Sequence, residues 1–198
     1  MDKENEGSPR EDDREASWAS EGLIPSASIV RLATHSDEPD VMNICRALHQ
    51  ENGVFKLSED KLRAFLKRAF DNQNGLVGLI GGPGRVEAIM FLVISTLWYS
   101  DQFVMEELFS FVRPEYRKSS HAKALIEWAK KCSDAVKLPT IIGVLSNTRT
   151  EAKVRLYQRQ LGKPVGAFFI HVPEGATVEW ALDADEDRGH GKRQGIVN

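Results

Sequence analysis

The chain has 198 residues, of which 41% are hydrophobic, enough for the core of one domain of ordinary size and some additional polypeptide. Lysine and arginine number 26 against 29 aspartate and glutamate, and the formal net charge is -3. This balance excludes a chain-wide basic surface for nucleic acid or anionic membranes, so any anion recognition must be local.

Membrane and metal classes are also disfavoured by the sequence. The longest apolar run, residues 88–98, is too short to span a bilayer, and the acidic amino terminus lacks the features of a signal peptide. Cys45 and Cys132 fall on the apolar faces of predicted helices, where reduced thiols act as small hydrophobes. We therefore expect a cytoplasmic protein with no membrane partner. The five scattered histidines show no HxxxH spacing, and we expect no metal.

The two ends of the chain differ in composition from its middle. Residues 1–28 are acidic, contain several serines and glycines, and have too few apolar residues to offset the entropy of ordering. Residues 184–198 are again charged and contain glycine, which predicts a disordered tail. One domain is therefore expected over residues 29–183, preceded by a flexible acidic extension.

The first predicted elements are a short strand at residues 29–32 and two amphipathic helices. The first helix begins after Ser36 or Asp37, either of which is a suitable cap, and Ser58 caps the second. The apolar residues of both helices recur at helical spacing. They are Val41, Ile44, Cys45 and Leu48 in the first helix, and Leu62, Phe65, Leu66, Ala69 and Phe70 in the second.

Three strands in succession are predicted next, and helices and strands then alternate. Residues 76–80 and 86–98 form a hairpin around a glycine-rich turn, and residues 103–112 extend it into an antiparallel meander. The later elements are a long helix with Ala122, Leu125, Ile126, Ala129 and Val136 on one face, a strand at 140–145, a helix at 150–161, and strands at 165–172 and 177–182. This order describes an α/β fold with mixed strand directions.

The junction between the third meander strand and the long helix carries the strongest functional signal. Pro114 removes a backbone donor and ends the strand. Residues 117–123 then form the loop and first helical turn, where backbone N–H groups and the positive end of the helix dipole favour an anion. Positive charge is added by Arg117, Lys118 and Lys123. The segment therefore predicts a pyrophosphate site.

The order of the predicted elements resembles the GNAT superfamily of N-acetyltransferases, and so does the pattern Val-x-Pro-x-Tyr-Arg-x-x-x-x-Ala at residues 112–122. In that family a motif of Arg or Gln, two residues, Gly, one residue and then Gly or Ala binds the pyrophosphate of acetyl-CoA. Arg117 and Ala122 match its first and last positions, whereas Ser120 stands where Gly is usual. A serine side chain narrows the approach to phosphate, although its hydroxyl is also a donor. The chain is also similar to acetyltransferases of bacteriophage genomes.

The resemblance, over roughly residues 29–172, implies a fold and a cofactor site. The fold is a mixed, mostly antiparallel sheet of six or seven strands, splayed at its centre and flanked by about four helices. Pantetheine would lie along the end of the third meander strand. The implied acetyl-CoA-binding residues are Phe111, Val112, Arg117, Lys118, Ser119, Ser120, His121, Ala122, Lys123, Asn147 and Thr150. Thr150 stands at the position of a family Asn, and Asn147 lies three residues before it.

Two catalytic residues are implied by the same resemblance. The family often has a Glu general base on the strand that Glu107 occupies, and Glu106 points to the opposite face by strand parity. Tyr157, between Leu156 and Gly162, matches a Tyr that acts as general acid toward the CoA thiolate. The alternative interpretations are a solvent-facing carboxylate for Glu107 and a packed aromatic for Tyr157.

Several other residues have a structural interpretation. His121 is expected at the surface of the first helical turn. Trp98 and Tyr99 lie at a strand end that can border the acceptor site, but core or strand-edge packing is the favoured interpretation. A solvated helix face is the interpretation for the spaced basic residues, which are Arg149, Lys153, Arg155 and Arg159. An RNA-binding adaptor is the alternative for that face, but scattered charge argues against nucleic acid.

The sequence thus predicts an acetyl-CoA-dependent N-acetyltransferase of EC 2.3.1 type that acetylates a primary amine by direct attack. The predicted acceptor is a small molecule or a protein. The predicted compartment is the cytoplasm, which is the host cytoplasm if the chain is phage-encoded. A homodimer is an open alternative to a monomer. The alternative is a GNAT-shaped binding or structural module of a phage or bacterial assembly without turnover, because fold alone does not fix function.

Overall fold

The computed structural model of the chain describes residues 29–71, 73–146 and 149–166. The chain divides into two compact units: the first consists of Met1–Arg46 and Ser58–Gly143, and the second of Ala47–Leu57 and Val144–Asn198. The flexible ends predicted at 1–28 and 184–198 lie outside the described residues. The predicted domain limits, 29 and 183, stay a prediction.

The first unit contains a five-stranded sheet in the order β1-β2-β3-β4-β5. Its strands are β1 (Arg31–Leu32), β2 (Gly75–Gly82), β3 (Arg85–Thr96), β4 (Phe103–Val112) and β5 (Thr140–Ile141). Neighbouring strands are antiparallel except β4 and β5, which are parallel, so the mixed and mostly antiparallel sheet is confirmed. The strand predicted at 177–182, and all of the strand predicted at 165–172 except Val165 and Gly166, lie outside the described residues.

Four α-helices are present in the described parts of the chain, as predicted. They are α1 (Glu38–Asn52), α2 (Glu59–Phe70), α3 (His121–Val136) and α4 (Thr150–Leu161), and two 3-10 helices cover His35–Asp37 and Pro114–Tyr116. Ser58 caps α2 as predicted, since its hydroxyl oxygen accepts the Lys61 N–H at 3.4 Å. Ser36 and Asp37, the predicted caps of α1, lie in the 3-10 helix that directly precedes it, and the Asp37 carboxylate accepts hydrogen bonds from the Thr34 N–H and the Arg31 guanidinium.

The hairpin of β2 and β3 is confirmed, and its turn depends on glycine. Gly81 has a φ of 104°, and a Cβ there would lie 2.1 Å from the Arg85 carbonyl oxygen, so no other residue fits without movement. At the other end of the hairpin β3 stops at Thr96, and Trp98 is 95% exposed. The expected core or edge packing of Trp98 and Tyr99 was therefore wrong.

One hydrophobic cluster of the first unit lies between the sheet and α3. Trp128 of α3 is fully buried over β2, and a Cβ on Gly78 would lie 2.7 Å from its indole ring. Burying one such large side chain contributes about 1.5–3 kcal/mol. The other α3 residues in this cluster are Leu125, Ala129 and Cys132. Leu125, Ile126 and Ala129 are buried, which confirms three of the five residues of the predicted apolar face, and the predicted burial of Cys132 is confirmed.

Candidate functional site

The ladder between β4 and β5 is short. Met105 pairs with Thr140 and Glu106 with Ile141, and the Met105 N–H donates to the Pro139 carbonyl oxygen at 2.9 Å. Among the described residues this ladder ends there, whereas β4 continues along β3 to Val112. The strand predicted at 140–145 is therefore only two residues long, and β4 extends beyond its ladder with β5 toward its carboxyl end.

A β-bulge interrupts β4 in the same region. Phe91 of β3 pairs with Phe109, but the next residue, Leu92, pairs with Glu107, so Leu108 has no opposite residue. Such a bulge bends the strand and shifts the alternation of its side chains by one position. No signal in the sequence identified it.

The two glutamates of β4 lie on opposite faces of the sheet. Glu107 is half-buried and shares a face with its partner Leu92, whose side chain belongs to the core under α3. Glu106 lies on the other face, where the Ser95 hydroxyl donates a hydrogen bond to its carboxylate. Only Glu107 therefore faces the side of the sheet on which α3 packs.

The segment after β4 is anchored at its start. The Arg113 side chain donates to the Val86 carbonyl oxygen at 2.8 Å and to the Asn43 side-chain oxygen at 2.6 Å. The Arg113 N–H also donates to the Glu87 carbonyl oxygen at 3.0 Å. Pro114 then begins the 3-10 helix Pro114–Tyr116, as its missing donor and fixed φ favour. The loop of residues 117–120 therefore leaves the sheet from a fixed point.

Four main-chain N–H groups at this junction have no hydrogen-bond acceptor among residues 29–71, 73–146 and 149–166. They belong to Lys118, Ser120, Ala122 and Lys123. Three others are bound internally: Arg117 to the Pro114 carbonyl oxygen at 3.3 Å, Ser119 to that of Tyr116 at 3.0 Å, and His121 to the Ser119 hydroxyl at 3.2 Å. The junction can thus offer four donors to an anion at the start of a helix.

Basic side chains surround these donors. The Arg117 Nε donates to the Val112 carbonyl oxygen at 3.2 Å, and the guanidinium lies 5.6 Å from the centroid of the Phe111 ring. Lys118 is exposed and forms no ion pair within the part of the chain that the structure describes. Lys123 is 3.5 Å from Glu127, one turn along α3. The end of β4 thus fixes the position of the Arg117 side chain, whereas the position of the Lys118 side chain follows from the loop backbone.

Serine at the usual glycine position introduces no backbone strain. Ser120 precedes α3 with φ -84° and ψ 7°, a conformation open to any L-residue. Its hydroxyl makes no capping hydrogen bond to the helix. The departure from the family motif therefore changes the surface of the loop but not its backbone geometry.

His121 does not lie at the surface, contrary to the sequence-based expectation. Its side chain is 14% exposed, and its Nε2 atom is 2.7 Å from a carboxylate oxygen of Glu87, whose side chain is 18% exposed. The first residue of α3 is therefore tied to β3 by its side chain.

The second unit carries the residues predicted on α4. Tyr157 is half-buried and lies one turn after Lys153, so both project from the same side of the helix. The Lys153 Nζ donates to the Ser146 hydroxyl at 2.5 Å, and this hydroxyl donates to the Asn52 side-chain oxygen at 3.0 Å. The prediction of a solvated face was therefore wrong for Lys153.

Of the two cofactor residues predicted in the second unit, Thr150 lies within the described residues. The Thr150 hydroxyl donates to the Ser146 carbonyl oxygen at 2.7 Å, which ties it to the segment before α4. Asn147 lies outside the described residues. The position that carries Asn in the family is thus occupied here by a residue that hydrogen-bonds to its own chain.

Two features are absent from the described ranges. These ranges contain no group of three or more His, Cys, Asp or Glu side chains arranged to hold a metal ion. In the same residues, no helix has the length and apolar character needed to cross a membrane.

Similarity to known proteins is found at the level of structure. No protein-family model matches the chain, and no curated protein sequence matches it. The solved structure of the aminoglycoside antibiotic 6'-N-acetyltransferase AAC(6')-IG from Acinetobacter haemolyticus has a TM-score of 0.53 and 13% identity, over 75% of this chain and 99% of that chain.

Two further solved structures share the fold. The structure of AAC(6')-Iy in complex with the bisubstrate analog CoA-S-monomethyl-acetylneamine has a TM-score of 0.58 and 13% identity, over 73% of this chain and 96% of that chain. A GNAT family acetyltransferase from Staphylococcus aureus has a TM-score of 0.51 and 15% identity, over 72% and 97%. The chain therefore has the fold of the GNAT acetyltransferases, as the sequence resemblance implied.

Proposed function

We propose that this chain is an acetyl-CoA-dependent N-acetyltransferase that transfers an acetyl group to a primary amine of a small molecule or a protein. The observation that carries the proposal is the set of open N–H groups at Lys118, Ser120, Ala122 and Lys123. These donors follow the end of β4, which extends beyond its ladder with β5, and the fold is shared with an acetyltransferase solved with a CoA-containing analog.

The cofactor residues have distinct tasks in this proposal. The four open N–H groups bind the diphosphate of acetyl-CoA, and Arg117 and Lys118 neutralise its charge. Phe111 and Val112 border the pantetheine arm where β4 extends beyond its ladder with β5. The proposed site needs no metal to bind the diphosphate, because main-chain donors and side-chain charge serve that purpose.

The proposed reaction is a direct transfer. The amine nitrogen attacks the thioester carbonyl carbon, and main-chain N–H groups near Val112 stabilise the developing oxyanion. Glu107 accepts the amine proton, the carbon–sulfur bond breaks, and the Tyr157 hydroxyl protonates the departing thiolate. Both side chains then return to their starting state by exchanging protons with solvent.

The cysteines support direct transfer over a covalent acyl-enzyme. Burial raises the pKa of the Cys45 thiol and of the Cys132 thiol to about 12. A thiol with such a pKa is almost entirely protonated at neutral pH, and only the thiolate is a good nucleophile. The sequence contains no other cysteine. Glu107 and Tyr157 are therefore the side chains on which the proposed chemistry depends.

The test is release of the CoA thiol from acetyl-CoA in the presence of a panel of primary amines. Wild-type protein is expected to release CoA with at least one amine, and Tyr157→Phe much more slowly. Both proteins should gain thermal stability from CoA, because a ligand that binds only the folded state stabilises it. Stabilisation by CoA without turnover on any amine would favour the inactive GNAT-shaped module.

A further inference from the structure

Four side chains beside the loop of residues 117–120 form a closed ring of contacts. The Arg85 Nε donates to the Tyr116 hydroxyl at 3.0 Å and lies 3.3 Å from one carboxylate oxygen of Glu87. The other Glu87 oxygen is 2.7 Å from the His121 Nε2. The His121 and Tyr116 rings are stacked, with centroids 5.8 Å apart and planes at 24°. We call Arg85, Glu87, Tyr116 and His121 the loop clamp.

The loop clamp joins the two ends of the loop to each other. Tyr116 is the residue before the loop and His121 is the residue after it, so their stacked rings close a four-residue segment at its base. Lys118 and Ser120, two of the residues with open N–H groups, lie inside this segment. The other two open N–H groups follow His121 directly in the first turn of α3.

The clamp is also fixed to the sheet. Arg85 and Glu87 belong to β3, and the Glu87 carbonyl oxygen accepts the N–H of Arg113 at the start of the loop segment. The ring contacts therefore hold the loop against a strand that is paired on both sides, with β2 and with β4. A mostly buried carboxylate is stable only with charged or hydrogen-bonding partners, and Glu87 has one on each oxygen.

We propose that the stack of Tyr116 on His121, held to β3 by Arg85 and Glu87, positions the four open N–H groups for a diphosphate. The inference rests on the proposed function. A loop that is already closed loses less backbone entropy when a ligand orders it, and preorganised donors bind more tightly than mobile ones. The four side chains are positioning residues, because they act through the loop backbone.

The test is a double-mutant cycle on the binding of free CoA, measured by isothermal titration calorimetry. His121→Ala and Tyr116→Ala each raise the Kd for CoA about five- to tenfold, the effect of losing preorganisation at the site. The double variant raises the Kd no further than the larger single effect, because both substitutions remove the same stack. In Tyr116→Ala the loss falls on the KM for acetyl-CoA rather than on kcat, since Tyr116 acts through the loop backbone and not on the reacting atoms.

The matched control is His35→Ala. The His35 Nε2 is 2.7 Å from an Asp71 carboxylate oxygen, and its ring packs edge-on against Phe70 at 5.5 Å. These are contacts of the same kinds on the 3-10 helix before α1, and their loss leaves the Kd for CoA unchanged. The thermal unfolding midpoint of each variant is also measured without CoA. A variant whose midpoint equals that of the wild type is affected in the loop and not in its global stability. If Tyr116→Ala does not fold, Tyr116→Leu retains a larger apolar side chain than alanine without the aromatic stack.

Three outcomes of these experiments separate this inference from the proposed function. An unchanged Kd in a folded His121→Ala variant, with wild-type protein that binds CoA, overturns the loop clamp alone. Strictly additive effects in the double variant overturn it as well, because they place the two rings in independent roles. Wild-type protein that gives no binding signal with CoA overturns the proposed function, and the loop clamp with it.

Discussion

Glu107 of β4 lies opposite Leu92 of β3, on the face of the sheet that packs against α3. One residue earlier, Glu106 lies on the other face and is bound by the Ser95 hydroxyl. The two carboxylates are thus adjacent in sequence but separated by the sheet. This arrangement provides a natural pair for testing the general base.

Glu107→Gln is expected to lower kcat/KM about 10²- to 10⁴-fold, the usual range for loss of a positioned acid or base. The amide keeps the volume of the side chain and cannot accept a proton from the amine. Glu106→Gln, the matched control, is expected to change kcat/KM less than about threefold. Steady-state rates of CoA release measure both variants. A larger loss from Glu106→Gln than from Glu107→Gln would reverse the assignment.

Arg117→Ala is expected to raise the Kd for CoA about tenfold or more, because a charge-assisted contact to the diphosphate is lost. Arg117→Lys should recover only part of the affinity, since lysine keeps the charge but not the planar fork that contacts Val112 and lies over Phe111. Calorimetry with pantetheine, which has no diphosphate, supplies the control. An equal loss of affinity for CoA and pantetheine would show that Arg117 acts on the pantetheine side instead.

The sequence predicted the elements whose signals are local. The hairpin of β2 and β3 follows from two apolar runs around a glycine-rich turn, and α3 follows from apolar residues at helical spacing such as Leu125 and Ala129. The end of β4 was also predictable, because Pro114 cannot continue the ladder. Each of these signals lies within a few positions in sequence of the element that it specifies, so no knowledge of tertiary contacts is needed to predict the element.

The details of the site depend on pairing between distant residues and were not predictable. The bulge at Leu108 exists only in the register of β4 against β3. The side chain of His121 is held against β3 by Glu87, which is 34 positions away in sequence. Which loop amides stay open likewise depends on the turn that Tyr116 and Ser119 adopt. Sequence patterns predicted the candidate site, and tertiary contacts determine the geometry of its residues.

The ion pair of Arg31 and Asp37 predicts a pH dependence of stability. The carboxylate of Asp37 accepts two hydrogen bonds from the guanidinium, at 2.7 and 2.9 Å, and its side chain is 5% exposed. The hydrogen bond from Arg31 lowers the pKa of Asp37 in the folded state. A lowered folded pKa means that the pair stabilises the fold above the unfolded pKa of Asp, and that this stability is lost as pH falls through the folded pKa.

Asp37→Asn is therefore expected to lower the free energy of unfolding near pH 7 by about 1–2 kcal/mol, a value reduced because Arg31 is partly exposed to solvent. The difference between wild type and variant should shrink at acid pH, and urea denaturation at pH 7 and pH 3 measures it. Glu59→Gln, in the exposed pair with Arg46, is the control and should have a much smaller effect. A difference that stayed constant from pH 7 to pH 3 would exclude the ion pair as its cause.

The close approach of Gly78 to Trp128 predicts a strict size limit in the core. A Cβ at position 78 would lie 2.7 Å from the indole ring, which is fully buried and has no room to move away. Gly78→Ala is expected to destabilise the fold by about 1–3 kcal/mol through overpacking, as measured by chemical denaturation. Gly82→Ala is the matched control, because a Cβ at Gly82 would meet nothing within 4 Å.

A second substitution distinguishes overpacking from a glycine-specific backbone effect. In the double variant Gly78→Ala with Trp128→Phe, the smaller ring makes space for the added methyl group. The destabilisation caused by Gly78→Ala should therefore be smaller in the Trp128→Phe background than in wild type, by roughly 1 kcal/mol in the double-mutant cycle. If the two substitutions are additive, the contact with Trp128 is not what requires glycine at position 78.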